Sequence, residues 1–161
     1  MIAGLPIGAL EATLVGTALT AGAATLVRTM RAGGAYAALV SGGFRYFTQR
    51  IAARCGFDED AANDLVVADG RLTGAVAEPI LTRDTKLETL RRLAAERGIG
   101  LDGALAVGDG ANDLPMLLAA GLGVAFRAKP IVSASAGCRI DHGDLTALLY
   151  LQGYRRAEFV A

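Results

Sequence analysis

The chain of 161 residues has no tryptophan, one histidine, two cysteines and two lysines. A lone His142 and two distant cysteines, Cys55 and Cys138, cannot assemble a structural zinc site, which needs several such ligands. No Cys-x-x-Cys occurs, so the thiols read as free small hydrophobes in a reducing compartment, and the expected location is cytoplasmic. Charge of either sign is not in excess: 16 basic residues balance 16 acidic ones. That balance excludes a strongly basic nucleic-acid binder and an acidic tail protein, so no nucleic-acid partner is expected. Long apolar runs are also missing. Residues 12–27 are uncharged, but the run has only 16 residues, with four threonines and two glycines. A membrane span needs about 20 strongly apolar residues. No Lys or Arg precedes the run, as a signal peptide would require. It reads as parts of soluble helices, with no membrane partner.

What is present is alanine and glycine, together about a third of the chain. That composition suits closely packed small-residue helices and sharp turns. Hydrophobic residues make up 53% and charged residues 20%, so wholesale disorder is excluded. The length fits one domain with a sizeable core. Charge is unevenly spread. Residues 1–57 hold one acid, Glu11, and five arginines, a balance of +4; residues 58–161 therefore carry −4.

Helix-like and strand-like segments alternate. Gly22–Ala32 predicts a helix ended by Gly33-Gly34. Ala35–Val40 reads as a buried strand, Ser41–Gly43 as a tight turn and Phe44–Cys55 as a helix. Asp69-Gly70 between Leu65–Ala68 and Leu72–Ala77 predicts a hairpin. Thr82 is placed to cap a helix from about Arg83 to Arg97. Ala104–Val107 and Gly123–Phe126 read as strands around a Gly108–Asp113 loop and a helix to Ala120. Pro130 opens a short helix, Arg139-Ile140 forms a last strand, and Asp144 caps a C-terminal helix. Repeated βα units imply an α/β fold, a parallel sheet with helices on both faces.

Parallel sheets place ligands at the carboxyl ends of their strands. Ser41-Gly42-Gly43 offers a hydroxyl and backbone amides at a helix start, an anion cradle; a plain tight turn reads equally well. Asp109, Asn112 and Asp113 combine two carboxylates and an amide oxygen, a donor set suited to Mg²⁺; helix capping by Asn112 or Asp113 is the alternative. The Gly108–Asp113 stretch lacks the third glycine of a dinucleotide-binding loop. Lys86 opens an Arg/Glu-rich helix, where lysine is ordinarily a solvated charge. Together, an anion cradle, a lone lysine and a carboxylate loop make up the parts of a phosphoryl-transfer site.

Leu39-Val-Ser-Gly-Gly-Phe44, then Lys86, then Val107-Gly-Asp-Gly-Ala-Asn-Asp-Leu-Pro-Met116 resemble, in order, the second, third and fourth motifs of the haloacid dehalogenase superfamily. Cys55-Gly-Phe-Asp58, Arg71-Leu-Thr-Gly74 and Asp141–Ala147 resemble its phosphoserine phosphatase branch. So does the Ser41-to-Lys86 separation of 45 residues, too short to hold a large cap domain. The resemblance implies a Rossmann-like parallel sheet and Mg²⁺-dependent hydrolysis of a small phosphomonoester, O-phosphoserine, through an aspartyl-phosphate. It implies that Ser41 and Gly42 hold phosphate and that Lys86 neutralises charge. It further implies that Asp109 ligates Mg²⁺, Asn112 contacts phosphate, and Asp113 steadies Lys86 or the metal's waters.

The family's first motif, D-x-D-x-T, ends the sheet's central strand and supplies the nucleophile and the general acid/base. Upstream of Ser41 the only acid is Glu11. The one D-x-D, Asp58-Glu59-Asp60, sits in the wrong order and reads as a solvated turn. The expectation is therefore a truncated chain: residues 1–18 the remnant of a small helical cap, residues 19–161 an incomplete core without its central first strand. Such a chain should be catalytically incompetent alone and should self-associate through exposed strand edges. The alternative is a non-catalytic module that binds phosphate, Mg²⁺ or a partner.

Overall fold

The computed structural model describes residues 2–82 and 84–161. They form two compact units, Met1–Leu81 with Asp144–Ala161, and Thr82–Gly143.

In the first unit, α1 (Gly8–Val15) precedes α2 (Ala23–Ala32), β1 (Ala38–Phe44) and α3 (Arg45–Cys55). Then come β2 (Glu59–Asn63), β3 (Leu65–Ala68) and β4 (Arg71–Val76), with α7 (Ala147–Leu151) near the carboxyl terminus. β1 and β2 pair in parallel, and α3 packs on both. The apolar face of α2 carries Leu26 and Val27 inward and packs on α3 and α7, whose Leu148 and Leu149 are fully buried. Each such leucine contributes roughly 1.5–3 kcal/mol of burial. β3 and β4 form the expected hairpin. Its loop, Asp69-Gly70, has positive φ at both residues, 49° and 70°, as a type I′ turn requires. Residues 4–7 lie along β4: the Gly4 amide donates to the Leu72 carbonyl and the Leu72 amide to the Leu5 carbonyl.

The second unit holds α4 (Thr85–Glu96), β5 (Leu105–Gly108), α5 (Leu114–Ala119), β6 (Leu122–Phe126), α6 (Pro130–Ser135) and β7 (Cys138–Ile140). Its three strands are parallel in the order β5-β6-β7. Ala106, Leu117, Ala125 and Val132 form its core, flanked by Ala120, Ala128 and Ala136. This is where the alanine-rich composition goes: small side chains let short helices lie close to the sheet. Pro130 opens α6 as expected.

Several expectations are corrected. Ser41–Gly43 is not a tight turn but the continuation of β1, and α3 starts at Arg45. Asp58-Glu59-Asp60 is not a solvated turn: it leads into β2, a strand the sequence did not announce. Asp58 pairs with Arg31 at 2.5 Å, and Asp60 accepts the Thr48 hydroxyl at 2.7 Å. These partners draw the carboxylates into the fold. The expected helix start at Arg83 lies outside the described residues. Asp144 accepts the Thr146 amide at 2.9 Å ahead of α7, but Thr146 occupies the N-cap position, no side chain caps the helix, and the helix is shorter than the sequence suggests. Cys55 is buried and both cysteines are free. Among the described residues no helix is long and apolar enough to cross a membrane. β1 has β2 as its one paired neighbour and β5 has β6, so each strand has an unpaired edge among the described residues.

Candidate functional site

In the second unit, β5 delivers its last residue, Gly108, straight into the Asp109–Asp113 loop. Asp113 folds back over the strand end. Its Oδ2 accepts the amides of Asp109 and Gly110, each at 2.9 Å. Its Oδ1 pairs with the Lys86 ammonium from the first turn of α4. The Asp113 side chain is only 3% exposed and that of Lys86 17%. Burial pushes the Asp113 carboxyl up. The Lys86 hydrogen bond, the Gly110 and Asp109 amides and the Lys86 charge outweigh that push and leave it below the ordinary value.

Gly108 is what lets Asp113 lie there. A Cβ at position 108 would stand 2.4 Å from the Asp113 Cβ, a distance no side chain tolerates. The first glycine of the loop is therefore fixed by close packing with its last aspartate, a constraint internal to the motif. The Asp113 side chain accepts no capping hydrogen bond from α5, and both of its oxygens are already engaged, Oδ2 twice and Oδ1 by Lys86.

Asp109 and Asn112 lie on the exposed side of the same loop. Among the described residues no hydrogen bond or ion pair engages the Asp109 carboxylate. One open carboxylate fits Mg²⁺, which keeps several waters and takes substrate oxygens instead of needing an all-protein cage. It does not fit a caged metal: no group of three or more His, Cys, Asp or Glu side chains suited to a metal exists among the described residues. The Asp109 carbonyl is itself held, accepting the Lys129 amide at 3.0 Å. His142 is exposed and takes no part in this cluster.

Ser41 and Gly42 belong to the first unit, at the carboxyl end of β1. Ser41 Oγ accepts the Gly43 amide at 3.0 Å, so one of the amides expected to be bare is already engaged. The hydroxyl hydrogen of Ser41 remains available to donate. Gly42 is exposed, and a Cβ there would meet nothing within 4 Å. The backbone at Gly42 thus faces open space.

The structure therefore brings Lys86, Asp109, Asn112 and Asp113 into one cluster within the second unit. Ser41 and Gly42 lie in the other. Sequence reasoning missed Asn63, the last residue of β2, whose buried side chain reaches the Gly42 carbonyl at 3.0 Å. No motif pattern marks it; only the strand pairing does.

The family model for haloacid dehalogenase-like hydrolases matches residues 1–118. A phosphoserine phosphatase of Streptomyces coelicolor is 44% identical over 161 residues, covering 100% of this chain and 39% of the relative. The chain thus spans well under half of that relative's length. The crystal structure of a probable phosphoserine phosphatase from Vibrio cholerae superposes with a TM-score of 0.90 at 34% identity, over 94% of this chain and 47% of that one. A phosphoserine phosphatase solved as a phospho-aspartyl intermediate analogue gives a TM-score of 0.87 at 39% identity, over 93% of this chain and 72% of that one.

Proposed function

The chain belongs to the haloacid dehalogenase-like hydrolases, and from that premise we propose that it carries the phosphate-handling part of a cytoplasmic O-phosphoserine phosphatase. The observation that carries the proposal is the buried Lys86–Asp113 pair beside an unengaged Asp109 carboxylate. Asp113 is turned toward Lys86 and the loop amides, so the exposed, unengaged Asp109 carboxylate is the better placed ligand for Mg²⁺ and Lys86 a fixed positive charge for phosphate. Mg²⁺, when bound, would polarise the phosphoryl oxygens. Asn112, exposed on the same loop, donates its amide to phosphate. Within the first unit, Ser41 and the Gly42 backbone are the groups suited to phosphate oxygens.

These 161 residues hold no aspartate before Ser41. The phospho-aspartyl chemistry named for the solved relative has no nucleophile among them in the motif order. Ser41 cannot replace it: a serine nucleophile needs an adjacent base, and the only histidine, His142, lies on another segment. We therefore expect no turnover by this chain alone. The unpaired edges of β1 and β5 favour self-association or pairing with another chain, which sedimentation velocity would register as concentration-dependent growth.

The test is an assay with O-phosphoserine and Mg²⁺, alone and with an added peptide carrying a D-x-D-x-T strand and cap helices. No release of phosphate alone and release with the peptide is the expected result. Turnover by the pure chain that disappears in Asp109→Asn would overturn the claim of incompetence. Binding of the peptide without any turnover would favour a non-catalytic module that binds phosphate and Mg²⁺.

A further inference from the structure

Asn63 ends β2 with 6% exposure, and nothing in the site described so far uses its side chain chemically. Its Nδ2 donates to the Gly42 carbonyl at 3.0 Å, and its Oδ1 accepts the Leu81 amide at 2.7 Å. The partners fix the orientation of the amide. Turned over, it would set oxygen against the Gly42 oxygen and N–H against the Leu81 N–H.

Strand register explains why a side chain is needed there. Val40 pairs with Ala61 and Phe44 with Asn63, so three residues of β1 face one of β2. A bulge of that kind interrupts the regular ladder, and the displaced backbone groups need other partners. The Gly42 carbonyl finds Asn63. The Gly43 amide finds Ser41 Oγ. That carbonyl and that amide belong to one planar peptide unit. Held at its oxygen by Asn63, the peptide presents its N–H to Ser41 Oγ, which takes up one lone pair of the hydroxyl and narrows the directions left to its hydrogen.

We infer that Asn63 is a positioning residue: through the Gly42–Gly43 peptide it sets the direction in which the Ser41 hydroxyl donates. This rests on the reading of Ser41 and Gly42 as phosphate ligands. The role is indirect, since Asn63 touches the peptide and not the ligand.

The experiment is a titration of the isotope-labelled chain with inorganic phosphate, following the Ser41, Gly42 and Gly43 amides by NMR. Asn63→Asp keeps an acceptor for Leu81 but turns an oxygen on the Gly42 carbonyl. It should weaken phosphate binding about tenfold, and the Gly43 amide should exchange with solvent about tenfold faster, the scale of one lost hydrogen bond. Circular dichroism should be unchanged and the Leu81 amide should stay protected, which a general loosening of the fold would not allow. Asn63→Ser is read in the same way if Asn63→Asp does not fold. A folded variant that binds phosphate within about twofold of the unaltered chain overturns the inference. Unfolding of both variants also overturns it, since Asn63 would then serve folding alone. Absence of any phosphate-induced shift at residues 41–43 in the unaltered chain overturns the cradle itself, and is seen before any variant is made.

Discussion

At the end of β5, Asp113 accepts the amides of Asp109 and Gly110 from within its own loop, whereas at the end of β1 the Gly42 carbonyl is held by Asn63 from the next strand, 21 residues away. Both segments lie at the carboxyl end of a parallel strand and both are rich in glycine. The first is closed by a buried charge that depends on Lys86 for its partner. The second is closed by a neutral amide and stays open on its ligand side. A loop that holds itself with an ion pair concentrates its stability in one residue. A bulge held from a neighbour spreads it over the sheet.

The sharpest way to break the comparison is Asp113→Ala. It removes the ion pair and the acceptor for two amides together, and strands the 17%-exposed Lys86 side chain without its partner. Removing one member of a buried pair costs about 3–5 kcal/mol. Lys86 retains some access to water, so about 3 kcal/mol is expected here. Because the chain has two units, the readout is local: hydrogen exchange of the Val124 and Ala125 amides, whose residues are fully buried in the second unit. Asn63→Ala, losing two neutral hydrogen bonds, should cost the first unit only about 2 kcal/mol. A larger loss for Asn63→Ala than for Asp113→Ala would reverse the ranking of the two segments.

Next in size is Gly108→Ala. The added methyl would lie 2.4 Å from the Asp113 Cβ and 2.7 Å from Oδ2. Overpacking of this sort costs about 1–3 kcal/mol, and the same exchange readout would show it. The diagnostic feature is non-additivity: in the Asp113→Ala background the clash at Oδ2 is gone, so the second substitution should cost less. Alanine at 113 keeps its Cβ and the 2.4 Å contact with it, so part of the cost remains; full additivity would mean that this Cβ contact alone fixes Gly108.

The contrast between the segments also explains what could be read in advance. The Gly108–Asp113 loop was legible because the residues that shape it, Lys86 and the Lys129 amide apart, lie inside one run of six. The hairpin at Asp69-Gly70 was legible for the same reason, its backbone demands being local. β2 was not, because Glu59–Asn63 has no alternating apolar pattern. It becomes a strand through pairing with β1, with Asp58 and Asp60 tied to Arg31 and Thr48 from elsewhere in the unit. The extension of β1 through Ser41–Phe44 was hidden by the same pairing: glycines that signal a turn in isolation here sit in a bulge opposite Ala62. Asn63 was invisible to motif reading because its role is set by strand register.

A smaller effect tests the charge in the self-closed loop. The Asp113 carboxyl lies below its ordinary value despite burial, because Lys86 and two amides favour the ionised form. The sign follows from linkage. A depressed folded-state pKa means that the unfolded chain takes up the proton first as pH falls. The stabilisation is complete above the ordinary aspartate value of about 3.9 and fades as pH drops through the lower folded value. Exchange protection in the second unit should therefore hold from pH 7 down to about pH 4 and weaken below. In Asp113→Asn this acid-dependent component should vanish. Its persistence would assign the acid sensitivity to other carboxylates.

Gly42→Ala carries the least expected stability change and the most direct statement about the open segment. A methyl at position 42 meets nothing of the chain within 4 Å, and Gly42 is not among the residues with positive φ. The backbone should accept alanine with a change of about 0.5 kcal/mol or less. If the space above Gly42 exists for a phosphate oxygen, the methyl occupies it. Phosphate-induced shifts at Ser41 and Gly43 should then disappear while the melting curve and the Asn63-held Leu81 amide stay as they were. Unchanged phosphate shifts in a folded Gly42→Ala chain would place the ligand elsewhere. The glycine would then be explained by the bulge alone, and the two segments would differ in purpose as well as in construction.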